Sequence, residues 1–267
     1  MTCNPYYETK YGALYKGDCL EVMDYLIEKG VKVDAIITDP PYAITGYSWD
    51  KIIPFDKMWD KLLKLIKDDG AIVLFGNEPF SSNLRLSNSK LYRYDWKWVK
   101  TQVTGFQNTK YQPLKCYEDI MVFSKASTVP HAKMNMCYYP QGIIKVNLMI
   151  NRSSVDYLKE NKKKEKTSHL QEYANFPRNV IQFPRESILF HPTQKPVNLM
   201  EYLISTYTKS GELVLDFTSG SGSTLLGCEI LSRRWIGIEI TDKYCNVIKE
   251  RIKNGIQLKL LLDYKNE

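Results

Sequence analysis

Apolar positions along the chain switch between two periods. Leu20, Val22, Met23, Leu26 and Ile27 recur at helical spacing over Leu20 to Lys29, and Gly30 supplies the stop. Val33 to Thr38 is then a short, nearly continuous apolar run, ended by Asp39-Pro40-Pro41-Tyr42, where two prolines forbid continuation of strand or helix. Phe55 to Ile66 predicts an amphipathic helix, Ala71 to Phe75 a buried strand, and Tyr92 to Val99 and Glu118 to Phe123 two more strands. From about Lys125 to Glu186 no helical or strand period is sustained, and Pro130, Pro140, Pro177 and Pro184 mark turns. Alternation then resumes: helix Val197 to Thr208, strand Glu212 to Leu215, a Gly/Ser turn, helix Ser223 to Leu231, strand Trp235 to Ile240 and helix Asp242 to Lys253. Strands alternating with helices on both sides of an aperiodic stretch predict an α/β fold, its sheet mostly parallel with helices on both faces. The expected organisation is one core domain from residues 1–124 and 187–267, with 125–186 inserted.

In such a sheet the ligand site lies at the carboxyl ends of the strands, and three turns there carry distinctive chemistry. In Asp216-Phe217-Thr218-Ser219-Gly220-Ser221-Gly222-Ser223-Thr224 an acidic residue ends a strand and glycines open a helix. The glycines allow close approach of a ligand, and the helix start presents free N–H groups. Glu239 ends the next strand about 20 residues on, the arrangement that grips ribose hydroxyls. No Lys follows the glycines, so a phosphate-binding loop is not supported. Asp216 would repel a pyrophosphate but suits a cationic amino group, and S-adenosylmethionine satisfies both requirements. Asp39-Pro40-Pro41-Tyr42 places a carboxylate, a rigid carbonyl and an aromatic face in one turn, a pocket for an amino-substituted ring. His191-Pro192-Thr193-Gln194-Lys195-Pro196 forms a stiffened loop that suits the rim for a carboxylate-bearing ligand.

Composition narrows the class. The 267 residues are 43% hydrophobic and 25% charged with a net charge of +7, which excludes a disordered or fibrous chain. No stretch approaches the roughly 18 consecutive apolar residues of a membrane helix, and the first twenty residues lack a signal-peptide core, so a cytoplasmic location and no membrane partner are expected. The six cysteines are scattered without metal-ligand spacing, and no metal is expected. Between Lys145 and Arg185 nine basic residues stand against four acidic ones. Arg152, Lys162, Lys163, Lys164, Lys166 and Arg178 within that run are the candidate contacts to a phosphate-bearing partner, with a solvated charged face as the alternative.

Taken in order, Asp39 to Tyr42, His191 to Pro196, Asp216 to Thr224 and Ile238-Glu239 resemble the motifs of prokaryotic DNA amino-methyltransferases that modify adenine N6 or cytosine N4. A D-P-P-Y lying before the glycine turn, with a variable region between, resembles their permuted β group. The resemblance implies a Rossmann-like S-adenosylmethionine-dependent methyltransferase fold with circularly permuted motif order and an inserted target-recognition region. It also implies that Asp39, Pro40, Pro41 and Tyr42 hold and stack on a flipped base in duplex DNA. Asp216, Thr218, Gly220, Ser221, Gly222, Ser223 and Thr224 would hold the methionine end of the cofactor, with His191, Thr193, Gln194 and Lys195 closing over it. Glu239 would bind the ribose, and Asp18 would lie near the adenine. Trp98 is the candidate second wall of the base pocket, with Trp96 the rival. One departure is that Phe217 lies one position earlier than the aromatic of the family's D-P-F-x-G-S-G-T-T.

No Pro-Cys dipeptide occurs, so the cysteine nucleophile of C5-cytosine methylation is absent. The expected activity is N6-adenine methylation of DNA in a prokaryotic or phage-infected cell. N4-cytosine methylation is the nearest alternative, methylation of RNA or a protein amide a weaker one, and an inert nucleic-acid-binding relic of the fold another. A homodimer and a separate cognate restriction endonuclease are the protein partners the family suggests. A chain of 267 residues leaves little room for a nuclease domain of its own.

Overall fold

The computed structural model describes residues 3–47, 49–154 and 165–266, without the side chains of 151–167 and 256–266. In chain order the elements are β1 (Tyr7–Glu8), β2 (Gly12–Lys16), α1 (Cys19–Glu28), β3 (Val33–Thr38), α2 (Phe55–Leu65), β4 (Ile66–Gly76), α3 (Phe80–Ser87), β5 (Tyr92–Thr104) and β6 (Lys115–Phe123). There follow β7 (Ile144–Ser154), β8 (Glu165–Ala174), β9 (Val180–Phe183), α4 (Val197–Tyr207), β10 (Leu213–Asp216), α5 (Ser223–Ile230), β11 (Arg234–Glu239) and α6 (Asp242–Asn266).

Nine strands form one sheet in the order β1-β2-β11-β10-β3-β4-β6-β5-β9. Its centre, β2 to β4, is parallel, as the apolar runs predict, while β6 runs antiparallel to both β4 and β5. β3 shows why a continuous run fits a central strand: Ala35 and Ile37 join the cluster on one face and Val33 and Ile36 the cluster on the other, so both side-chain rows are buried. α1, α2 and α3 cover the Ile36 face through residues such as Leu26, Leu62 and Leu84. α4, α5 and α6 cover the Ala35 face through Leu203, Leu225 and Ile248. Neighbouring β3 and β10 pair in register, Val214 opposite Ala35 and Leu215 opposite Ile36, which sets Asp39 and Asp216 at adjacent strand ends.

Three parts depart from the sequence expectation. α3 was not anticipated, because Ser81, Ser82 and Asn83 are poor helix formers; Phe80 and Leu84, buried beside β4, hold it. The stretch read as aperiodic contains the antiparallel pair β7 and β8 and the strand β9, which adds to the sheet alongside β5. Two compact units result: Met1–Tyr139 with Asn179–Glu267, and Pro140–Arg178. Residues 125–139 and 179–186 thus belong to the larger unit. Among the described residues no helix is long and apolar enough to cross a membrane, and no cluster of His, Cys, Asp or Glu would hold a metal ion.

Candidate active site

A cavity of about 710 Å³ opens at the carboxyl ends of the central strands of the larger unit. Its lining includes Asp18, Asp39, Pro40, Pro41 and Tyr42, Trp98, His191 through Lys195, Asp216 and Thr218 through Ser221, Ser223, Thr224 and Glu239. Residues separated by up to 221 positions are therefore brought together as the motif order suggested. Gly222 is behind the wall: its φ of +79° starts α5, and a Cβ there would stand 2.9 Å from Ile248.

The strand-end carboxylates are stitched together. The Thr38 hydroxyl donates to Asp216 Oδ1 at 2.6 Å and lies 2.6 Å from Thr218 Oγ1, which in turn reaches the Asp39 carbonyl at 3.2 Å. Burial pushes the Asp216 carboxyl up to about 6, against the hydrogen bonds from Thr38, Thr224 and the Thr218 amide. Glu239 Oε2 accepts the Gly220 amide at 2.9 Å, and Oε1 accepts the Thr241 amide and hydroxyl at 2.8 and 2.7 Å. The carboxylate fixes the glycine turn to the next loop and borders the cavity. Asp18 caps α1, accepting the Leu20 amide at 2.8 Å, and the residue also borders the cavity.

The Asp39 turn is held from several sides. Tyr42 donates its hydroxyl to Asp39, and its ring lies 4.9 Å from that of Phe80. Asp50 accepts the amides of Tyr42, Ala43, Ile44 and Thr45 at 2.6–2.9 Å and the Thr45 hydroxyl at 2.7 Å. That acceptor stabilises Ala43 at φ +56°, a conformation unfavourable for a residue with a Cβ. The sequence signal for Asp50 is an acid eight residues past Tyr42 in a short loop, where a carboxylate caps free amides.

The His191 loop divides its work. The His191 ring packs 5.0 Å from Trp49 and 4.3 Å from Tyr244, beside Gly220. Burial, with the nearby Lys195 and Lys243, lowers its pKa to about 4, so it is neutral and accepts the Thr193 amide at Nδ1. Gln194 and Lys195, expected to close over the cofactor, line the cavity and also bond other side chains. Gln194 bonds Glu186 and the Ile188 carbonyl, fixing the approach to the loop. Lys195 pairs with Asp39 and lies 3.3 Å from Glu118, because buried carboxylates there demand a cation more strongly than the rim does.

Trp98 lines the cavity and donates to the Phe183 carbonyl at 3.0 Å; Trp96 instead donates to Tyr207 at 2.7 Å within the core. Arg251 was not anticipated: from α6 it donates to the Ser221 carbonyl at 2.7 Å, to Ser223 Oγ at 3.2 Å and to Glu186 at 3.1 Å, tying the glycine turn to the segment before α4. Of the candidate phosphate contacts, Arg178 is exposed; Lys162, Lys163 and Lys164 lie outside the described residues, as do the side chains of Arg152 and Lys166.

The family model for N6/N4 methyltransferases, described as DNA methylase, matches residues 33–250. The chain belongs to this DNA methylase family. Among curated relatives it is 27% identical to the Type II methyltransferase M.HpaI of Haemophilus parainfluenzae over 82% of this chain and 68% of that one. It is 26% identical to the Type II methyltransferase M.BamHI of Bacillus amyloliquefaciens, of which it spans 61%, and to the DNA adenine methyltransferase YhdJ of Escherichia coli K12, of which it spans 86%. The M1.HpyAVI–SAM complex superposes with a TM-score of 0.62 at 25% identity, covering 90% of this chain and 99% of the other. The cytosine-N4-specific PvuII DNA methyltransferase shares the fold, with a TM-score of 0.61 at 18% identity over 97% of this chain and 95% of the other. The methylase fold and DNA amino-methyltransferase family expected from the motifs are thus established.

Proposed function

We propose that the protein transfers a methyl group from S-adenosylmethionine to the exocyclic N6 of an adenine flipped out of duplex DNA at a specific sequence. The observation that carries the proposal is the placement of Asp39, Pro40 and Tyr42 in one cavity with Asp216, the Gly220 turn and Glu239. Pockets for ligands of this size are typically about 300–1,000 Å³, and the cavity falls in that range. The lining suits the cofactor: Asp216 for the cationic amino group, the Glu239 carboxylate for a ribose hydroxyl, and Asp18 toward the base.

When bound, the cofactor supplies an electrophilic methyl on a positively charged sulfur. Asp39 and the Pro40 carbonyl accept hydrogen bonds from the target amino group, draw its lone pair out of conjugation and stabilise the charge that develops as nitrogen takes the methyl and the C–S bond breaks. The methylated nitrogen then passes one proton to the Asp39 carboxylate, which releases it to water, restoring neutrality. Tyr42 and Trp98 provide aromatic surface for the ring. The stretch from Lys145 to Arg185, with its basic excess, is the proposed source of the phosphate contacts that offset the few kcal/mol of unstacking.

The adenine assignment rests on Asp at position 39 and on the likeness to YhdJ. Unmethylated duplex DNA incubated with methyl-labelled S-adenosylmethionine should yield N6-methyladenine on nucleoside analysis. Label in N4-methylcytosine overturns the adenine assignment, and normal DNA binding without label overturns catalysis. Asp39→Ala should abolish transfer and leave cofactor affinity within about threefold, since the residue is assigned to the target amine. Equal loss of both would mean that its role is misassigned.

A further inference from the structure

Four charged groups of alternating sign run inward from the Asp39 turn. Asp39 pairs with Lys195; Lys195 Nζ is 3.3 Å from Glu118 Oε2; Glu118 Oε1 pairs with Lys100. Lys195 and Glu118 are 6% and 9% exposed at their side chains. Glu118 Oε2 is buried, and the Lys195 ammonium meets it at 3.3 Å, a longer contact than the one Lys195 makes with Asp39. One cation is thus shared unequally by two carboxylates, and shortening the longer contact would strengthen it.

Asp39 presents the complementary difficulty. Its Oδ1 takes the Tyr42 hydroxyl and its Oδ2 the Lys195 ammonium, so the group proposed to receive the substrate amine is engaged in the free protein. A substrate N–H aimed along the direction Lys195 now occupies would displace the ammonium. An ammonium displaced into an apolar wall would be prohibitive, but Lys195 already lies 3.3 Å from a second carboxylate, that of Glu118. We propose that Lys195 is a positioning residue that shuttles between two carboxylates, resting on Asp39 in the free protein and passing to Glu118 when the substrate amino group takes its place on Asp39. The proposal rests on the functional reading above and gives it a gate: Lys195 holds Asp39 at rest, and the carboxylate becomes available only as the target amine arrives.

The charges around Asp39 set the expected signs. Lys195 faces it from the loop before α4, Glu118 from β6, Tyr42 from its own turn and Asp216 from the end of β10; Lys100, from β5, stands behind Glu118. Burial raises the Asp39 pKa, Lys195 opposes this, and Glu118 adds to it. Lys195→Met should therefore raise the pKa of Asp39 further, whereas Glu118→Gln should lower it by removing a negative neighbour and leaving Lys195 wholly on Asp39.

The test uses the intact chain labelled with 13C-aspartate, the Asp39 carboxyl being assigned by its loss in Asp39→Asn. Opposite displacements of its titration in the two variants are expected. In parallel, single-turnover transfer to unmethylated genomic DNA should fall about tenfold or more in Glu118→Gln, although its Asp39 is the more readily ionised, because Lys195 no longer has an anion to move to. The acid limb of the rate profile should move to higher pH in Lys195→Met. Displacements in the same direction, no displacement, or full activity in Glu118→Gln overturns the proposal. A wild-type protein that methylates no DNA refutes the functional reading instead, while the carboxyl titration still decides the pairing. Retained calorimetric affinity for S-adenosylmethionine separates these effects from misfolding.

Discussion

Asp50→Ala tests whether the Asp39 turn is built by a carboxylate outside the Asp39 to Tyr42 motif. Asp50 accepts four successive amides and the Thr45 hydroxyl. Ala43 and Ile44 are exposed, so water replaces the carboxylate at their amides with little net cost, while Tyr42 and Thr45 are half-buried. At about 1.5–3 kcal/mol for a hydrogen bond to a charged group, losing those made by Tyr42 and Thr45, with partial rehydration, costs about 2–4 kcal/mol. For a chain of this size that lowers Tm by roughly 4–16 °C. Ala43 would relax from its left-handed conformation, freeing the Tyr42 backbone, so single-turnover transfer should fall about tenfold or more while cofactor affinity holds. Burial alone would raise the Asp50 pKa, but hydrogen bonds from Thr45, Ala43 and Ile44 outweigh it and hold the carboxyl below its ordinary value. Its stabilisation is thus present above the ordinary carboxylate range and lost as pH falls through the depressed value, so the gap between wild type and variant should close on acidification. Thermal melts across pH and a rapid-quench assay measure both quantities. A melting point within about 1 °C of wild type at neutral pH, with unchanged transfer, refutes this account of the loop.

Two further outcomes follow from the cofactor side of the cavity. Asp216 is raised to about 6 by burial, so calorimetric affinity for the cationic cofactor should increase as pH rises through about 6. Because the native state keeps that proton longer than the unfolded chain, the contribution of Asp216 to stability declines as pH rises from about 4 to about 6, a slope that Asp216→Asn should remove from the unfolding curve. Arg251→Met leaves Glu186 and the Ser221 carbonyl without their buried cation, and should destabilise the fold by about 3–5 kcal/mol. Saturating cofactor should restore part of the loss in a denaturant titration, since it binds only the ordered turn.

What was legible in the sequence was what local pattern encodes. The apolar runs of β3, β10 and β11, the glycine turn opening α5 and the proline break after Thr38 each have a local cause, and each stands where the periodicity placed it. The β7 and β8 pair was not legible: its strands mix Lys, Asn, Arg and Ser with exposed apolar residues such as Leu148 and Met149, so neither face carries the alternation that marks a half-buried strand. The partners of Lys195 were also hidden. Its carboxylates lie 156 and 77 positions away in the chain, and no local period reports which charge meets which. Glu118 did carry a signal, a charged residue opening the buried half of β6, where only a paired or functional group is tolerated.

The permuted motif order has a simple structural resolution. Chain order places the Asp39 turn 177 positions before Asp216, yet β3 and β10 are parallel neighbours and the two turns emerge side by side. For a target amine and a methyl donor to meet in line, only that adjacency matters. It carries a cost: two carboxylates at neighbouring strand ends raise each other's pKa, and Asp39 contributes to the elevation of Asp216. Thr38 and Thr218 meet the cost on one side by donating to the Asp216 carboxylate and the Asp39 carbonyl, and Lys195 meets it on the other. Thr38 is the last residue of the apolar run in β3, a position where Val or Ile would preserve the strand. Its hydroxyl is needed because the adjacency that serves catalysis would otherwise leave Asp216 buried with one donor fewer, and threonine satisfies strand and carboxylate together.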